Sequence, residues 1–249
     1  MWEQEKKQEE TQTEVMPLQI RGLTKQYLGF CLDHAELTVK PGEIMGLVGE
    51  NGAGKSTLMK AMLDLIRKDG GEVLFWGQPL ADDAVSVKNR IGIVLDEMNF
   101  YQTLCADDVG RICAGIYRNW QQSRYEEFLN KVGINRKKAI KDFSKGMKVK
   151  LSLAAALCHG ADLLILDEPT SGLDPIARED VLEIFRDYVA DGKKAILLSS
   201  HITGDLEKIA DEITFLHQGK VVFTRDKAEL LAEGEISEIM NRYARGCAR

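Results

Sequence analysis

Along the chain the spacing of apolar residues changes several times, and each change marks an element. Four short unbroken runs stand out: Ile44-Met45-Gly46-Leu47-Val48, Ile91-Gly92-Ile93-Val94-Leu95, Leu163-Leu164-Ile165-Leu166 and Ala195-Ile196-Leu197-Leu198. Runs this short and this apolar predict strands buried on both faces of a parallel sheet. Leu18-Gln19-Ile20 and Leu37-Thr38-Val39 are shorter strand candidates, the second leading into the turn Lys40-Pro41-Gly42-Glu43. Val73 to Trp76, ended by Gly77, is another, and Ile213 to Phe223 predicts a hairpin turning at His217-Gln218-Gly219-Lys220.

Helical spacing fills the intervals. Leu58, Met62, Leu65 and Ile66 predict one apolar face on a helix over Ser56 to Arg67, stopped by Gly70-Gly71. Val181, Ile184, Phe185, Tyr188 and Val189 predict a second, opened by Asp174 as N-cap and Pro175 at the first helical position. From about Glu97 to Lys150 strand-like runs vanish. Val109, Ile112, Cys113 and Ile116, then Phe128, Val132 and Ile134, recur at helical spacing, so this stretch reads as a mostly helical insertion in a sheet domain. Residues 1–15 are charged and Gln/Glu/Lys-rich and predict a disordered lead-in, with order starting near Pro17.

Composition narrows the class. With 249 residues, 44% hydrophobic and 29% charged, the body is expected to be globular: one large α/β domain, or a domain with a small inserted subdomain. A formal net charge of -6 gives no basic footprint for nucleic acid. Cys31, Cys105, Cys113, Cys158 and Cys247 form no CxxC pair, which favours free thiols over a disulfide framework or a zinc site. No run approaches the roughly 20 apolar residues that cross a bilayer, and the N-terminus lacks the apolar core of a signal peptide. Work at a membrane then requires a partner to hold the chain there.

The chemistry is concentrated after two of the buried strands. Gly49, Glu50, Asn51, Gly52, Ala53, Gly54, Lys55 and Ser56, with Thr57 after them, fit the pattern GxxxxGK[ST] between a strand and a helix. Small residues let the backbone curl so that successive N–H groups point inward, and the helix dipole favours an anion there. Lys55 brings a point charge to the β- and γ-phosphates of a nucleotide, and the Ser56 hydroxyl is a hard oxygen ligand for Mg²⁺. The second strand, Leu163 to Leu166, ends in Asp167-Glu168-Pro169. Terminal acids of a buried parallel strand lie at the carboxyl edge of the sheet, where open α/β folds bind ligands. Asp167 reads as a Mg²⁺ holder through water and Glu168 as the group that polarises the attacking water. Alone, the pair reads equally well as the N-cap of the next segment.

In order and spacing, the phosphate loop, the helical insertion, Phe143-Ser144-Lys145-Gly146-Met147, Leu163 to Glu168, Ser171-Gly172-Leu173-Asp174 and Ser200-His201 resemble the ABC ATPase family over about Leu18 to Phe223. The resemblance implies a P-loop NTPase sheet core with an inserted helical subdomain (about 97–150), an N-terminal antiparallel β portion, an ATPase domain over 16–225 and a C-terminal extension over 226–249. It also assigns roles. Tyr27 resembles the aromatic residue that stacks on adenine, and it reads equally as a half-buried core tyrosine. Ser144, Lys145 and Gly146 resemble the signature loop that caps the γ-phosphate held by the opposite subunit. Asp174 belongs to the loop that communicates across the dimer, besides serving as an N-cap. His201 resembles the switch histidine at γ-phosphate, while His34, His159 and His217 match no motif.

Two departures from the family pattern stand out. Lys145 takes the place of a signature glycine and brings a charge there. Asp96 occupies the position of the glutamine that ends the strand before the insertion; it can offer oxygen to Mg²⁺ but cannot donate a hydrogen bond. With Ile202-Thr203-Gly204-Asp205-Leu206, these features resemble bacterial exporter-type ATPases of cell-envelope or antibiotic response. Because one chain carries one phosphate loop and one signature loop, the expected unit is a pair of ATPase subunits with two composite sites. They are expected at the cytoplasmic face of the membrane, on a separate membrane-spanning subunit gripped near Asp96 to Tyr101, where Met98, Phe100 and Tyr101 are contact or core residues. Two alternatives remain: a non-transport ABC ATPase, against which stand the single ATPase half and the lack of a heptad run, and a regulatory nucleotide-binding module, against which stands Glu168.

Overall fold

After an opening hairpin, strands and helices intermix along the chain, with one wholly helical stretch in the middle. In a computed structural model, which describes residues 15–80, 84–95 and 100–247, the chain runs β1 (Leu18–Tyr27), β2 (Phe30–Val39), β3 (Ile44–Val48), α1 (Lys55–Met62), β4 (Gly70–Phe75), β5 (Gln78–Pro79), α2 (Ala84–Lys88) and β6 (Ile91–Val94). A helical stretch follows: α3 (Ala106–Ile116), α4 (Gln122–Lys131), a 3-10 turn at Ile140–Asp142, and α5 (Lys145–Leu157). Alternation then resumes with β7 (Leu163–Asp167), α6 (Pro175–Val189), β8 (Ala195–Ser200), α7 (Thr203–Ile209), β9 (Glu212–His217) and β10 (Lys220–Asp226), and the chain closes on α8 (Lys227–Glu233) and α9 (Ile236–Cys247).

The strands form two sheets. A four-stranded sheet has the order β2-β1-β4-β5 and is antiparallel throughout. A six-stranded sheet has the order β10-β9-β3-β8-β7-β6, parallel from β9 to β6, with β10 antiparallel at one edge. Every residue of β3, β7 and β8 is buried. Their side chains alternate between two cores, as the period of two requires. Leu164 and Leu166 enter the core under α5, α6, α7 and α9, while Leu163 and Ile165 enter the core shared with α1 and the small sheet. This is why these strands read as unbroken apolar runs.

The structure departs from the sequence pattern at some borders. β1 and β2 are ten residues each, longer than the apolar triplets, because one face of this hairpin meets solvent and carries polar residues. α1 ends at Met62 rather than near Arg67: Asp64 adopts φ 57°, a left-handed conformation in which Asp is among the tolerated residues. Leu65 is accordingly exposed rather than part of an apolar face. α5 continues past Lys150 to Leu157, so its second half is core rather than insertion. Residues 227–247 form two helices whose Leu230, Ile236 and Ile239 are fully buried in the main core, and Tyr243 lies against Phe223 with ring centroids 5.1 Å apart. The expected lead-in falls outside the described residues up to residue 14.

Two positions show what this packing demands. At Gly92 of β6, a Cβ would stand 2.5 Å from Leu164 Cδ2 and 2.8 Å from the Ala156 carbonyl oxygen. Only glycine lets α5 approach the sheet this closely, and Gly92→Ala is expected to lower stability by about 1–3 kcal/mol in urea unfolding. Glu43, 6% exposed, accepts a hydrogen bond from the Lys40 N–H at 2.9 Å, while its Oε1 has no partner among the described residues. Burial, aided by the nearby carboxylates of Glu212 and Asp211, pushes its pKa from 4.5 up to about 7. Between those values the folded chain holds a proton that the unfolded chain has released. Stability is therefore expected to fall as pH rises from about 5 to above 7, by at most about 3 kcal/mol. Glu43→Gln should flatten that slope when unfolding midpoints are compared at pH 5.5 and 8; an unchanged slope would assign it to another group.

Candidate functional site

Parallel pairing brings three strand ends to one edge. Val48 of β3 lies opposite Ser200 of β8, and Ser199 lies opposite Asp167 of β7. The loop after β3, the carboxylates after β7 and the histidine after β8 therefore meet at the carboxyl end of the sheet. A cavity of 540 Å³ opens there, lined by Phe30, Glu50, Asn51, Gly52, Gly54, Lys55, Ser56, Thr57, Glu168, Ser171 and His201.

The phosphate loop is held by its own backbone. Ala53 N–H donates to the Glu50 carbonyl at 3.1 Å, and Leu58 N–H to the Gly54 carbonyl at 2.8 Å, which starts α1. Gly54 sits at φ 109° with the Phe30 ring 2.7 Å from where a Cβ would lie, so both its backbone and its surroundings require glycine. Lys55 is 7% exposed. Its ammonium donates to the Gly49 carbonyl at 2.7 Å and the Glu50 carbonyl at 3.4 Å, and it stands 3.3 Å from Glu168 Oε1.

Glu168 is the hub. Its backbone adopts φ 51°, uncommon for a residue with a side chain. Its Oε2 lies 2.6 Å from His201 Nδ1 and accepts the His201 N–H at 3.3 Å. One carboxylate thus joins the phosphate-loop lysine to the histidine after β8. Beside it, Asp167 Oδ1 accepts from the Ser199 hydroxyl at 2.5 Å, and Glu168 N–H donates to the Ser199 hydroxyl at 3.0 Å and carbonyl at 3.2 Å.

Ser144, Lys145 and Gly146 are not among the residues lining this cavity. Ser144 caps α5, its hydroxyl accepting from Met147 N–H at 3.2 Å. A Cβ on Gly146 would lie 2.9 Å from Ala177 of α6, and the Lys145 ammonium 3.0 Å from a Cβ on Gly172. Asp174 caps α6, accepting from Ile176 and Ala177 N–H at 3.1 and 3.0 Å.

A family model described as ABC transporter matches residues 32–171, more than half of the chain. The chain belongs to the ABC transporter ATP-binding family. An uncharacterized ABC transporter ATP-binding protein of Nostoc is 40% identical over 207 residues, covering 80% of this chain and 61% of the relative. The lantibiotic transport ATP-binding protein SrtF of Streptococcus pyogenes is 35% identical, covering 84% of this chain and 90% of that protein. A solved ATP binding subunit of an ABC transporter superposes with a TM-score of 0.80 at 27% identity, over 91% of this chain and 98% of that one. The chain therefore spans less than two-thirds of the Nostoc relative and nearly all of the streptococcal one.

Within this ABC ATP-binding chain some sequence expectations separate. Gly49 and Ala53 shape the loop without lining the cavity. Tyr27, 43% exposed at the end of β1 with the Lys25 ammonium 5.3 Å above its ring, also does not line it. Phe30, its register partner across the hairpin turn, does; the sequence reading missed Phe30 because it matches no motif. Ser199 was missed for the same reason. Asp96, like Glu97 and Met98, lies outside the described residues. His159 is buried, stacked on Tyr117 at 4.1 Å with both ring nitrogens at carbonyl oxygens, a core arrangement. Cys31, Cys105, Cys113 and Cys158 are free thiols.

The donor set suits Mg²⁺ bound together with phosphate. Ser56 offers a hydroxyl and Asp167 a carboxylate, both hard oxygens. Among the described residues no cluster of three or more His, Cys, Asp or Glu could hold a metal alone, and Mg²⁺ characteristically completes its shell with waters and nucleotide oxygens. Lys55→Ala removes the one ammonium bridging the loop carbonyls and Glu168. It is expected to weaken ATP binding about 10–100-fold, the worth of a charge-assisted contact, in a titration with a fluorescent ATP analogue.

Proposed function

We propose that this chain is an ATP-hydrolysing motor subunit whose nucleotide is clasped between two ATPase subunits mounted on a separate membrane-spanning subunit. The observation that carries the reading is the division of the site. The phosphate loop, Glu168 and His201 line one cavity, while Ser144 to Gly146 sit at the start of α5 outside it. A second subunit facing head to tail supplies the missing cap, and ATP then joins the two because its γ-phosphate contacts both.

The roles follow from the contacts. The loop N–H groups and Lys55 hold the phosphates. Ser56 and Asp167 would hold Mg²⁺, which would supply positive charge against the phosphates; Asp96 is kept as a further oxygen donor. An incoming γ-phosphate competes with Glu168 for Lys55, releasing the carboxylate to polarise a water, while His201 holds its other oxygen. Tyr27 and Phe30, on either side of one hairpin turn, are the aromatic surfaces for the base.

No helix among the described residues is long and apolar enough to cross a membrane. Attachment to a membrane partner is supported by a groove of 780 Å³ between β6 and the helical insertion. Ile93, Phe100, Ile112 and Ile116 give it an apolar lining, and Lys88 and Arg118 also line it. That chemistry fits a short amphipathic helix of the membrane subunit carrying acidic side chains. The place of work is then the cytoplasmic face of the membrane. The lantibiotic transport relative supports export of an antimicrobial peptide or a similar envelope-active compound as the task.

Glu168→Gln should retain ATP and shift to a dimer on size exclusion with Mg-ATP. A monomer under those conditions, with the membrane partner present, removes the composite site. Affinity purification from detergent-solubilised membranes should recover a polytopic protein; ribosomes or DNA in its place overturn the transport reading.

A further inference from the structure

We propose that Ser199, a residue of β8 outside every motif discussed above, is a positioning residue that sets the metal affinity of the site by orienting Asp167 and Glu168 together. The inference rests on the nucleotide reading of the preceding subsection.

A serine hydroxyl has one hydrogen to give and two lone pairs to offer. Here the hydrogen is committed: Asp167 Oδ1 is the acceptor at 2.5 Å. The lone pairs remain for Glu168 N–H, which approaches to 3.0 Å while also reaching the Ser199 carbonyl at 3.2 Å. One buried oxygen therefore touches both acidic residues, on the side chain of the first and on the backbone of the second. Ser199 is fully buried and Asp167 is 4% exposed, so little water is present to take over either contact.

Two consequences follow. Asp167 is left with Oδ2 as its only carboxylate oxygen free of a protein hydrogen bond among the described residues, which fixes which oxygen is available to a cation. Glu168 is held at φ 51° by two bonds to one residue. This backbone conformation swings its side chain toward Lys55 and His201. The register makes the arrangement possible: Ser199 is paired with Asp167 on one side and Leu47, just before the phosphate loop, on the other. Partners that orient a metal-binding carboxylate typically change metal affinity about 10–100-fold when removed.

The test uses the full chain, Mn²⁺ as the metal and a non-hydrolysable ATP analogue, with free Mn²⁺ read by electron paramagnetic resonance. Ser199→Ala is expected to weaken Mn²⁺ binding to the nucleotide-loaded protein about 10–100-fold, and to leave analogue binding in EDTA unchanged. Ser199→Thr, which keeps the hydroxyl on a β-branched side chain suited to a strand, is expected to restore the affinity. Where the Ala variant does not fold, Ser199→Cys fills the position with a slightly larger side chain and a much weaker donor, and is expected to show the same loss. Wild-type Mn²⁺ affinity in a folded Ala or Cys variant overturns the proposal alone. Failure of the wild-type protein to bind the analogue overturns the nucleotide reading, and this inference with it.

Discussion

A buried ammonium cannot stand without counter-charge, and the site is arranged around that constraint. Lys55 enters α1 at its first turn, almost wholly out of water. The positive end of the helix dipole raises the cost of a cation there. Two loop carbonyls and Glu168 offset it. For Glu168 to reach across from β7, its backbone takes a left-handed turn, and Ser199 and His201 hold that turn in place. The three strand ends are thus electrically one unit. A phosphate can satisfy both this ammonium and the loop N–H groups, whereas the carboxylate meets the ammonium alone, so in the proposed mechanism nucleotide displaces the resting contact.

What could be read from the sequence was what local pattern determines. The strands of the parallel sheet announced themselves because burial on both faces keeps them apolar over most of their length, with polar residues only toward the carboxyl ends of β7 and β8. The phosphate loop and Asp167-Glu168 were legible because their chemistry is contiguous. Asp174 and Pro175 marked the start of α6 for the same reason, and the structure adds two hydrogen bonds to that cap. The opening hairpin was underestimated because its polar face hides the strand period. The end of α1 was missed because a left-handed Asp64 leaves no strong signal in the sequence.

Other features depended on neighbours distant in sequence. Nothing around Ser199 distinguishes it from any serine late in an apolar strand; its role comes from lying beside Asp167, 32 residues earlier. Phe30 acquires its place from the Gly54 position it closes upon. α8 and α9 looked like an appendage because their apolar residues are few, yet Ile236 and Ile239 are fully buried against elements that precede them by many residues. Pairwise register and packing at long separation decide such cases, and periodicity within a window does not report them.

The same limits explain why Lys145 is instructive. By sequence it is a charge substituted into a loop expected to meet phosphate. In the folded chain its ammonium lies over Gly172, where a side chain would leave little room, and no ion pair to it is found among the described residues. An exposed cation without an acidic partner costs little while solvated, and its full attraction is kept for an anion arriving from outside. The loop that carries it begins α5, whose own N-terminal N–H groups favour negative charge. One face of the chain therefore holds a lysine already paired with its own carboxylate, and another holds an exposed lysine with no ion-pair partner among the described residues. The proposed head-to-tail pair would answer both at once, because the phosphate that releases Glu168 at the first would be the anion that the second lacks.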